Sequence, residues 1–242
     1  MKNPLVVGYR GEIGSYILKG LIDFLPSAIP IKCVDCHDKE QEVRDRIKVA
    51  DVIFLCVPLN LTMRFLLDWH KELEGKIVIE QTSLKRVLFG DPYYKTHLSK
   101  IDIRSMHILY RPSITDNAKD RVIVLIGDKE FWCTRDLTWF FNTGLNVDHF
   151  AYIDTWQEHD EEMARQQALV HRVILTLGQL VTEGLHYEKN TYISREVQRL
   201  AERIKGGDLE LYQLIQSNPE LPKMLGEFSS KLQAFDIKKH MK

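Results

Sequence analysis

The stretch Pro4-Leu-Val-Val-Gly8-Tyr-Arg-Gly11-Glu-Ile-Gly14-Ser-Tyr-Ile-Leu18 decides the fold of this chain. Its β-branched pair Val6-Val7 predicts a short buried strand. Glycines follow at three-residue spacing, and a helical pattern of apolar residues comes directly after them. Glycine lets the chain turn sharply and lets a pyrophosphate approach the N–H groups at the helix start. The stretch therefore predicts a strand, a tight turn and a helix that bind a dinucleotide through Gly8, Gly11 and Gly14.

An acidic residue ends the second predicted strand. Asp35 follows the run Ile29-Pro-Ile-Lys-Cys-Val, about twenty residues after the glycines. A carboxylate there accepts hydrogen bonds from the hydroxyls of an adenosine ribose and repels a 2′-phosphate. The sequence therefore predicts NAD as cofactor. NADP stays open as an alternative, because His37 and Lys39 lie nearby and would soften the repulsion.

The glycine loop departs from the usual G-x-G-x-x-G pattern. Tyr9 holds the position of the first glycine, and Gly8 lies one residue earlier. A glycine-rich turn with only a packing role is therefore the alternative to a dinucleotide site. Arg10 lies inside the loop and either faces the pyrophosphate or is a solvated loop arginine. Pro58, which ends the predicted strand Asp51–Pro58, completes the set of predicted cofactor-binding residues.

The composition narrows the class of protein. The 242 residues carry a formal net charge of −1 without a basic block, which argues against nucleic acid and anionic membranes as partners. The apolar runs are too short to span a bilayer, and no signal peptide is evident, so the expected location is the cytoplasm. Four cysteines fit a reducing compartment. We interpret Cys33-x-x-Cys36 as packing residues and expect no metal site.

Strands and helices alternate through the first part of the chain. Apolar strand patterns recur at Gly75–Glu80, Ile101–Met106, Arg121–Gly127 and Leu145–Phe150, with a helix over Lys129–Phe141. This alternation predicts an α/β fold with an N-terminal Rossmann-like, doubly wound sheet. Gln81-Thr-Ser83-Leu-Lys85 and His107 each follow a strand, at the carboxyl edge where ligands bind in such sheets.

The character of the chain changes near Thr155, after which only helical patterns remain. We expect residues 1–152 to form a dinucleotide-binding domain and 153–242 a helical substrate and dimerisation domain. The segment Leu169–Leu185 is apolar nearly all round, which is typical of a helix buried on every side. A short helical domain achieves this most easily against a second copy of itself. The sequence therefore predicts a homodimer through the helical domain.

Several motifs in the same order resemble those of the prephenate dehydrogenases, including their arogenate-using relatives. The glycine loop and Asp35 come first. Glu80-Gln-Thr-Ser83-Leu-Lys85 is similar to the family's acid-x-x-Ser-x-Lys motif, and Ser105-Met-His107-Ile-Leu-Tyr-Arg-Pro112 to its His-Pro-Met-Phe-Gly-Pro segment. Glu158-His-Asp160 through Gln167-Ala-Leu-Val-His171 is similar to its His-Asp…Gln-Ala-Leu-x-His helix. The resemblance covers almost the whole chain and implies oxidative decarboxylation of prephenate to 4-hydroxyphenylpyruvate, a step of tyrosine biosynthesis.

The resemblance implies roles for residues at the sheet edge. His107 is the expected base that takes the proton of the ring hydroxyl, because a neutral imidazole does this near neutral pH. Ser83 is expected to bind the same hydroxyl or to hold His107 in its working tautomer; a helix cap is its alternative. Lys85 is assigned to substrate binding, with positioning of the loop and a simple solvated cation as alternatives.

Prephenate carries two carboxylates, which the planar fork of arginine binds well. By the resemblance, Arg203 matches the family's carboxylate-binding arginine. Arg195 and Arg199 lie on the same side of its helix, and there a solvated stripe paired with Glu196 and Glu202 is the alternative. His171 faces either the substrate or a protein core.

Arg111 stands where the family has glycine, and Ile108 replaces the family's proline. Arg111 would either bind a carboxylate or block the pocket. The alternatives to a prephenate dehydrogenase are therefore an arogenate dehydrogenase and a non-catalytic protein of this type that binds NAD as a sensor.

Overall fold

The computed structural model describes residues 2–113, 115, 117–184, 191–206 and 209–235. The chain forms two compact units, Met1–His159 and Asp160–Lys242. The first unit is built on one seven-stranded sheet in the order β2-β1-β3-β4-β5-β6-β7. Its strands are β1 (Pro4–Val7), β2 (Lys32–Val34), β3 (Val52–Leu55), β4 (Ile77–Glu80), β5 (Asp102–Ile108), β6 (Val122–Ile126) and β7 (His149–Ile153).

Helices cover both faces of this sheet, as predicted for a doubly wound fold. The helices of the first unit are α1 (Glu12–Phe24), α2 (Glu40–Val49), α3 (Leu59–Asp68), α4 (His70–Leu73), α5 (Arg86–Phe89), α6 (Pro92–His97), α7 (Lys129–Trp132) and α8 (Arg135–Trp139). A 3₁₀ turn occupies Ala118–Asp120 and a π-helical turn Phe140–Gly144. Successive residues of β1 enter opposite cores, because side chains alternate along a strand: Val6 packs on one face, Leu5 and Val7 on the other.

Strand direction sets where the chemistry can lie. Strands β1 to β5 are parallel. The chain goes from β1 to β2 on one side and then returns to place β3 on the other side of β1, so the strand order reverses there. Such a reversal is the point at which open α/β sheets bind ligands, beyond the carboxyl ends of the strands. Strand β6 then runs antiparallel to β5, and β7 runs parallel to β6. The parallel edge that can hold a cofactor therefore ends at β5.

Two predicted elements differ from the structure. The last strand is His149–Ile153, not Leu145–Phe150. Leu145 and Val147 are indeed fully buried, but Asn146 between them is exposed and has a left-handed φ of 49°, so the segment is a bend and not a strand. The helix expected over Lys129–Phe141 is broken because Thr134 adopts an extended conformation (ψ 143°).

Among its described residues, the second unit has helices as its regular secondary structure and no strand. Helix α9 (Trp156–Met163) crosses the division, and a π-helical segment (Ala164–Leu169) continues into α10 (Val170–Gly184). The remaining helices are α11 (Tyr192–Lys205), α12 (Leu209–Gln216) and α13 (Leu221–Gln233). Helices α10 and α11 pack closely where Gly178 meets Ala201: a Cβ added to Gly178 would lie 2.5 Å from the Ala201 methyl group.

Helix α10 is not buried on every side within one chain. Val170, Leu177 and Leu180 are among its exposed apolar residues, with Leu180 60% exposed. The apolar cluster around Ala168, Ile215 and Leu221 is small. Leu185, the last residue of the predicted apolar segment, lies outside the described residues.

Candidate active site

The glycine loop is shaped by two close backbone approaches. Gly8 has a φ of +79°, and a Cβ at this position would lie 2.5 Å from the carbonyl oxygen of Cys56. Gly14, in the first turn of α1, lies so close to Gly8 that a Cβ would overlap the Gly8 carbonyl oxygen. Neither position accepts a side chain without movement of the backbone. The loop therefore has the tight strand-to-helix geometry that the sequence predicts.

The start of α1 leaves backbone donors without a cap. Gly11 is the N-cap residue, and within the described residues no side-chain hydrogen bond caps this helix. The first N–H groups of a helix have no partner inside it, and the helix dipole favours an anion there. An uncapped helix start beside a glycine turn fits the pyrophosphate of a dinucleotide.

Asp35 lies directly beyond β2, beside this loop. Its carboxylate accepts hydrogen bonds from the backbone N–H of Cys36 (2.8 Å) and of Arg10 (3.2 Å). Burial opposes ionisation of Asp35, but the hydrogen bonds from Cys36 and Arg10 outweigh it and lower the pKa of the carboxyl group. The side chain is therefore a fixed carboxylate at the position expected to meet the adenosine ribose.

Arg10 and Pro58 lie at the same edge of the sheet. The Arg10 guanidinium stacks 5.5 Å from the ring centre of Tyr9, and its Nε donates to the Tyr9 hydroxyl at 3.1 Å. Pro58 precedes α3, and its carbonyl oxygen accepts from the Thr62 N–H at 2.8 Å. Tyr9 thus provides a surface for Arg10 that a glycine could not.

A buried ionic network lies beneath the carboxyl ends of β4 and β5. Glu80 and Lys85 are both 0% exposed, and Lys85 Nζ lies 2.7 Å from Glu80 Oε1. The Lys85 ammonium also donates to the carbonyl oxygen of Met106 at 2.8 Å. Glu80 accepts from the backbone N–H and hydroxyl of Thr82 (2.7 and 2.6 Å) and from the hydroxyl of Ser105. Because an unpaired charge at such a site is costly, the network fixes the two strand ends together.

His107 follows this network on β5. It pairs with Val124 of β6 and is 4% exposed. Its Nδ1 lies 3.0 Å from Nε2 of His159, which is fully buried. Burial, the neighbouring His159 and the Lys85 ammonium hold the pKa of His107 well below its ordinary value. His107 is therefore a neutral imidazole at neutral pH, the form that can accept a proton.

The structure distinguishes between the alternative roles of Ser83 and Lys85, two residues predicted at this edge of the sheet. Ser83 is half-buried in the loop after β4 and precedes α5, whose N-cap is Lys85, so Ser83 does not cap that helix. Lys85 is not a solvated cation: its ammonium is buried and bound by Glu80 and Met106. The geometry supports a positioning role for Lys85, because its buried ammonium already binds two protein groups.

The Arg111 side chain is directed towards the start of α1. Its guanidinium is 64% exposed and lies 3.3 Å from the carboxylate of Glu12, at the start of α1. Glu12 also accepts from the backbone N–H of Ser113 at 3.1 Å. Tyr110 and Tyr16 make a further contact between these segments through their hydroxyls, 2.7 Å apart. The segment that follows His107 is thus fastened to α1.

The predicted residues of the helical unit lie on α10 and α11. Arg203 is exposed, and its helical neighbour Arg199 forms an ion pair with Glu196, as the solvated-stripe alternative predicts. The His171 ring is half-buried 5.2 Å from Tyr212, and burial lowers its pKa. Within the described residues His171 Nδ1 has no hydrogen-bond partner.

Two residues with contacts at this sheet edge, His159 and Gln81, are not among the site residues predicted from the sequence. His159 was part of a motif, but its contact with a strand 52 positions away leaves no local pattern. Gln81 donates to the Cys56 sulfur at 2.9 Å, and its buried Oε1 has no partner among the described residues. Burial raises the pKa of the Cys56 thiol to about 12, so this cysteine is inert.

Neither a protein-family model nor a curated protein matches this sequence. Solved structures do match. Prephenate dehydrogenase from A. aeolicus, in complex with hydroxyphenyl propionate and NAD+, is 17% identical with a TM-score of 0.70, over 97% of this chain and 89% of that chain. Synechocystis arogenate dehydrogenase is 20% identical (TM-score 0.62; 97% and 90%). An imine reductase from Myxococcus stipitatus, in complex with NADP+, is 19% identical (TM-score 0.53; 84% and 72%).

These likenesses define the fold, which is a Rossmann-like sheet followed by a helical unit, as the sequence predicts. More particularly, it is the fold of the prephenate and arogenate dehydrogenases. Among the described residues no helix has the length and apolar character needed to cross a membrane. The described part of the chain also holds no group of three or more His, Cys, Asp or Glu side chains that could bind a metal ion.

Proposed function

We propose that this protein is an NAD-dependent dehydrogenase that converts prephenate to 4-hydroxyphenylpyruvate by oxidative decarboxylation. The observation that carries the proposal is His107. A histidine kept neutral by burial, at the carboxyl end of the last parallel strand, is equipped to remove a proton from a ligand held at that edge. Its order in the chain, after the glycine loop and the Ser83 loop, agrees with the motifs that resemble this family.

The proposed reaction uses His107 twice. Its neutral imidazole first accepts the proton of the ring hydroxyl of prephenate. The bound NAD supplies a hydride acceptor for the carbon that carries this hydroxyl. Loss of the ring carboxylate as carbon dioxide then sends an electron pair through the ring to the same oxygen, and the proton held by His107 returns to it. The product ring is aromatic, and His107 is neutral again.

Residues of the glycine loop support the assignment of the cofactor. Gly8, Gly11 and Gly14 form the turn, the uncapped start of α1 suits the pyrophosphate, and Asp35 is an ionised carboxylate that suits two ribose hydroxyls. Arg10 and Pro58 stay in the proposed cofactor site. NAD is preferred to NADP for the repulsion between Asp35 and a 2′-phosphate.

The proposed substrate contacts rest on the resemblance. Arg203 is the proposed ligand of a substrate carboxylate, and its exposed position on α11 leaves the guanidinium available. Ser83 is proposed to bind the ring hydroxyl, and His171 to contact the substrate. The ion pair of Arg111 with Glu12 argues against a direct role for Arg111 in binding the substrate.

We also propose a homodimer formed by the helical domain. The support is the exposed apolar face of α10, which carries Leu177 (45% exposed) and Leu180 (60%), beside exposed Ile193 and Leu200 on α11. A second copy of the same face would cover these side chains in an isologous interface. All four cysteines are free thiols, in keeping with action in the cytoplasm.

The test is the absorbance of NADH after mixing purified protein with NAD and prephenate. The proposal predicts NADH formation together with carbon dioxide. Parallel mixtures contain arogenate in place of prephenate and NADP in place of NAD, so that each preference is measured on one preparation. NADH formation with arogenate alone would show that arogenate, and not prephenate, is the substrate. Binding of NAD without turnover of either compound would overturn the enzyme assignment in favour of a sensor protein.

A further inference from the structure

We propose that His159 is a positioning residue that holds His107 in the tautomer whose Nε2 is free to accept a proton. The inference rests on the proposed function, because it assigns a partner to the base of that reaction. Its basis is one contact: Nδ1 of His107 lies 3.0 Å from Nε2 of His159, with the ring centres 5.2 Å apart and the ring planes inclined by 60°.

This contact restricts the protons of both rings. A neutral imidazole has one N–H donor and one acceptor nitrogen. At 3.0 Å one of the two facing nitrogens must carry a proton and the other must not. Both rings are buried, so two bare nitrogens facing each other would cost the free energy of an unmade hydrogen bond. The pair therefore shares a single proton along this line.

Only one direction of the hydrogen bond serves a base. If His159 donated, His107 would carry its proton on Nε2 and could not accept another there. If His107 donates from Nδ1, its Nε2 lone pair is free. After His107 takes up a proton, the same Nδ1–H still donates to His159, and the bond becomes charge-assisted and stronger. His159 Nε2 thus accepts in both states of the reaction, and neither ring has to turn.

The sheet brings the two histidines together through its register. Ser105 of β5 pairs with Ile126 of β6, which pairs with Ile153 of β7. The end of β7 is therefore level with the end of β4, and α9 starts only three residues later, at Trp156. His159 lies in the first turn of α9, so its placement depends on the strands that hold His107.

The first test measures the tautomer directly. Two-dimensional NMR of protein labelled with ¹⁵N-histidine separates protonated from bare ring nitrogens, and the spectrum of H107N assigns the signals. We expect His107 to be protonated at Nδ1 and bare at Nε2 in the free protein at neutral pH. Protonation of His107 at Nε2 would overturn the proposal. This result does not depend on the identity of the substrate, so it stands apart from success or failure of the proposed function.

The second test compares two variants of His159. H159Q keeps an acceptor oxygen near the position of Nε2, whereas H159F keeps a ring without an acceptor. We expect H159F to lower kcat about a hundredfold with little change in KM, and to place His107 in a mixture of tautomers. H159Q should recover most of the loss and the wild-type tautomer.

The control is H149N, which changes an exposed histidine on β7 of the same unit. It should match the wild type in kcat and in the tautomer of His107. Equal losses in H159F and H159Q, with an unchanged His107 tautomer in both, would show that His159 only fills space and would overturn the proposal.

Discussion

Lys85 donates to the carbonyl oxygen of Met106 at 2.8 Å, and Met106 is the residue directly before His107 on β5. The same ammonium forms a buried ion pair with Glu80 at the end of β4. The cation therefore joins the two strands under the candidate base and also lowers the pKa of His107. The sequence motif predicts that Lys85 lies near a substrate. In the structure, Lys85 supports the strand that carries the candidate base.

Removal of this cation should destabilise the fold. K85M leaves Glu80 as an uncompensated buried carboxylate, which costs about 3–5 kcal/mol. K100M is the matched control, because Lys100 pairs with Glu74 at 3.4 Å on the surface, where such pairs contribute about 0–1 kcal/mol. The free energy of unfolding in urea measures both. Similar values for the two variants would contradict the assigned role of the buried pair.

The space around two glycines predicts opposite effects of their substitution by alanine. Gly14 lies against Gly8, whereas Gly226 faces open space. G14A places a Cβ on the Gly8 carbonyl oxygen, and we expect a loss of about 1–3 kcal/mol in stability together with loss of dinucleotide binding. G226A, in the exposed part of α13 with open space at the Cβ position, should stabilise by about 0.5–1 kcal/mol. Thermal unfolding and NADH fluorescence measure the two quantities. Normal NADH binding by G14A would argue against this loop as the cofactor site.

The carboxylate of Asp35 should set the choice of cofactor. D35S removes the charge that repels a 2′-phosphate and replaces the carboxylate acceptor of the ribose hydroxyls by a neutral hydroxyl, so the ratio of NAD to NADP affinity should fall about tenfold or more. D23S changes an exposed acid on α1 and should leave the ratio unchanged. Titration calorimetry with each dinucleotide gives the ratio. An unchanged preference in D35S would mean that another residue discriminates.

Burial of His107 predicts how stability depends on pH. Its pKa is lowered in the folded state, so the folded protein binds fewer protons than the unfolded chain below the ordinary value of about 6.5. Its contribution is therefore fully present above this pH and is lost as pH falls towards the folded pKa. H107N should lose less unfolding free energy than the wild type between about pH 7.5 and about pH 5.5, whereas H149N should follow the wild type. For the same reason the acid limb of kcat/KM should lie below pH 6.5.

The exposed face of α10 should control the oligomeric state. The double variant L177E/L180E places two charges where a second copy would pack, and we expect a monomer by light scattering where the wild type is a dimer. I22E introduces a charge at an equally exposed apolar position on α1 and should leave the dimer intact. A monomeric wild-type protein would refute the proposed dimer outright.

The sheet could be predicted because its signals are local. The glycine loop, the apolar runs of β1, β3 and β4, and Asp35 after β2 each combine residue type with position in a short window. The turn at Leu145–Val147 could not, because its two apolar residues are buried in the core without being extended. Leu145 has helical angles (φ −99°, ψ −4°) and Asn146 is left-handed, so the segment is not a strand, and asparagine permits that conformation without requiring it.

The sequence points to candidate site residues one at a time, but it does not show which of them are in contact. His107 and Lys85 were singled out from motifs, whereas the contacts of Lys85 with Met106 and of His107 with His159 depend on strand register. Arg111 shows the same limit. Its replacement of glycine is visible in the sequence, but its partner Glu12 lies 99 positions earlier. Residue type indicates which interactions a side chain can make, and tertiary structure decides which neighbour it makes them with.

The place of β6 and β7 at the end of the sheet, beyond β5, also has a consequence for the order of folding. Strands β1 to β4 lie within the first 80 residues and are joined by connections of modest length. His107 meets His159 only after β6, β7 and the start of α9 have joined the sheet, a separation of 52 residues. Because long-range contacts form late, we expect the contact between these two histidines to form only after β1 to β5 have paired, among the last steps of folding.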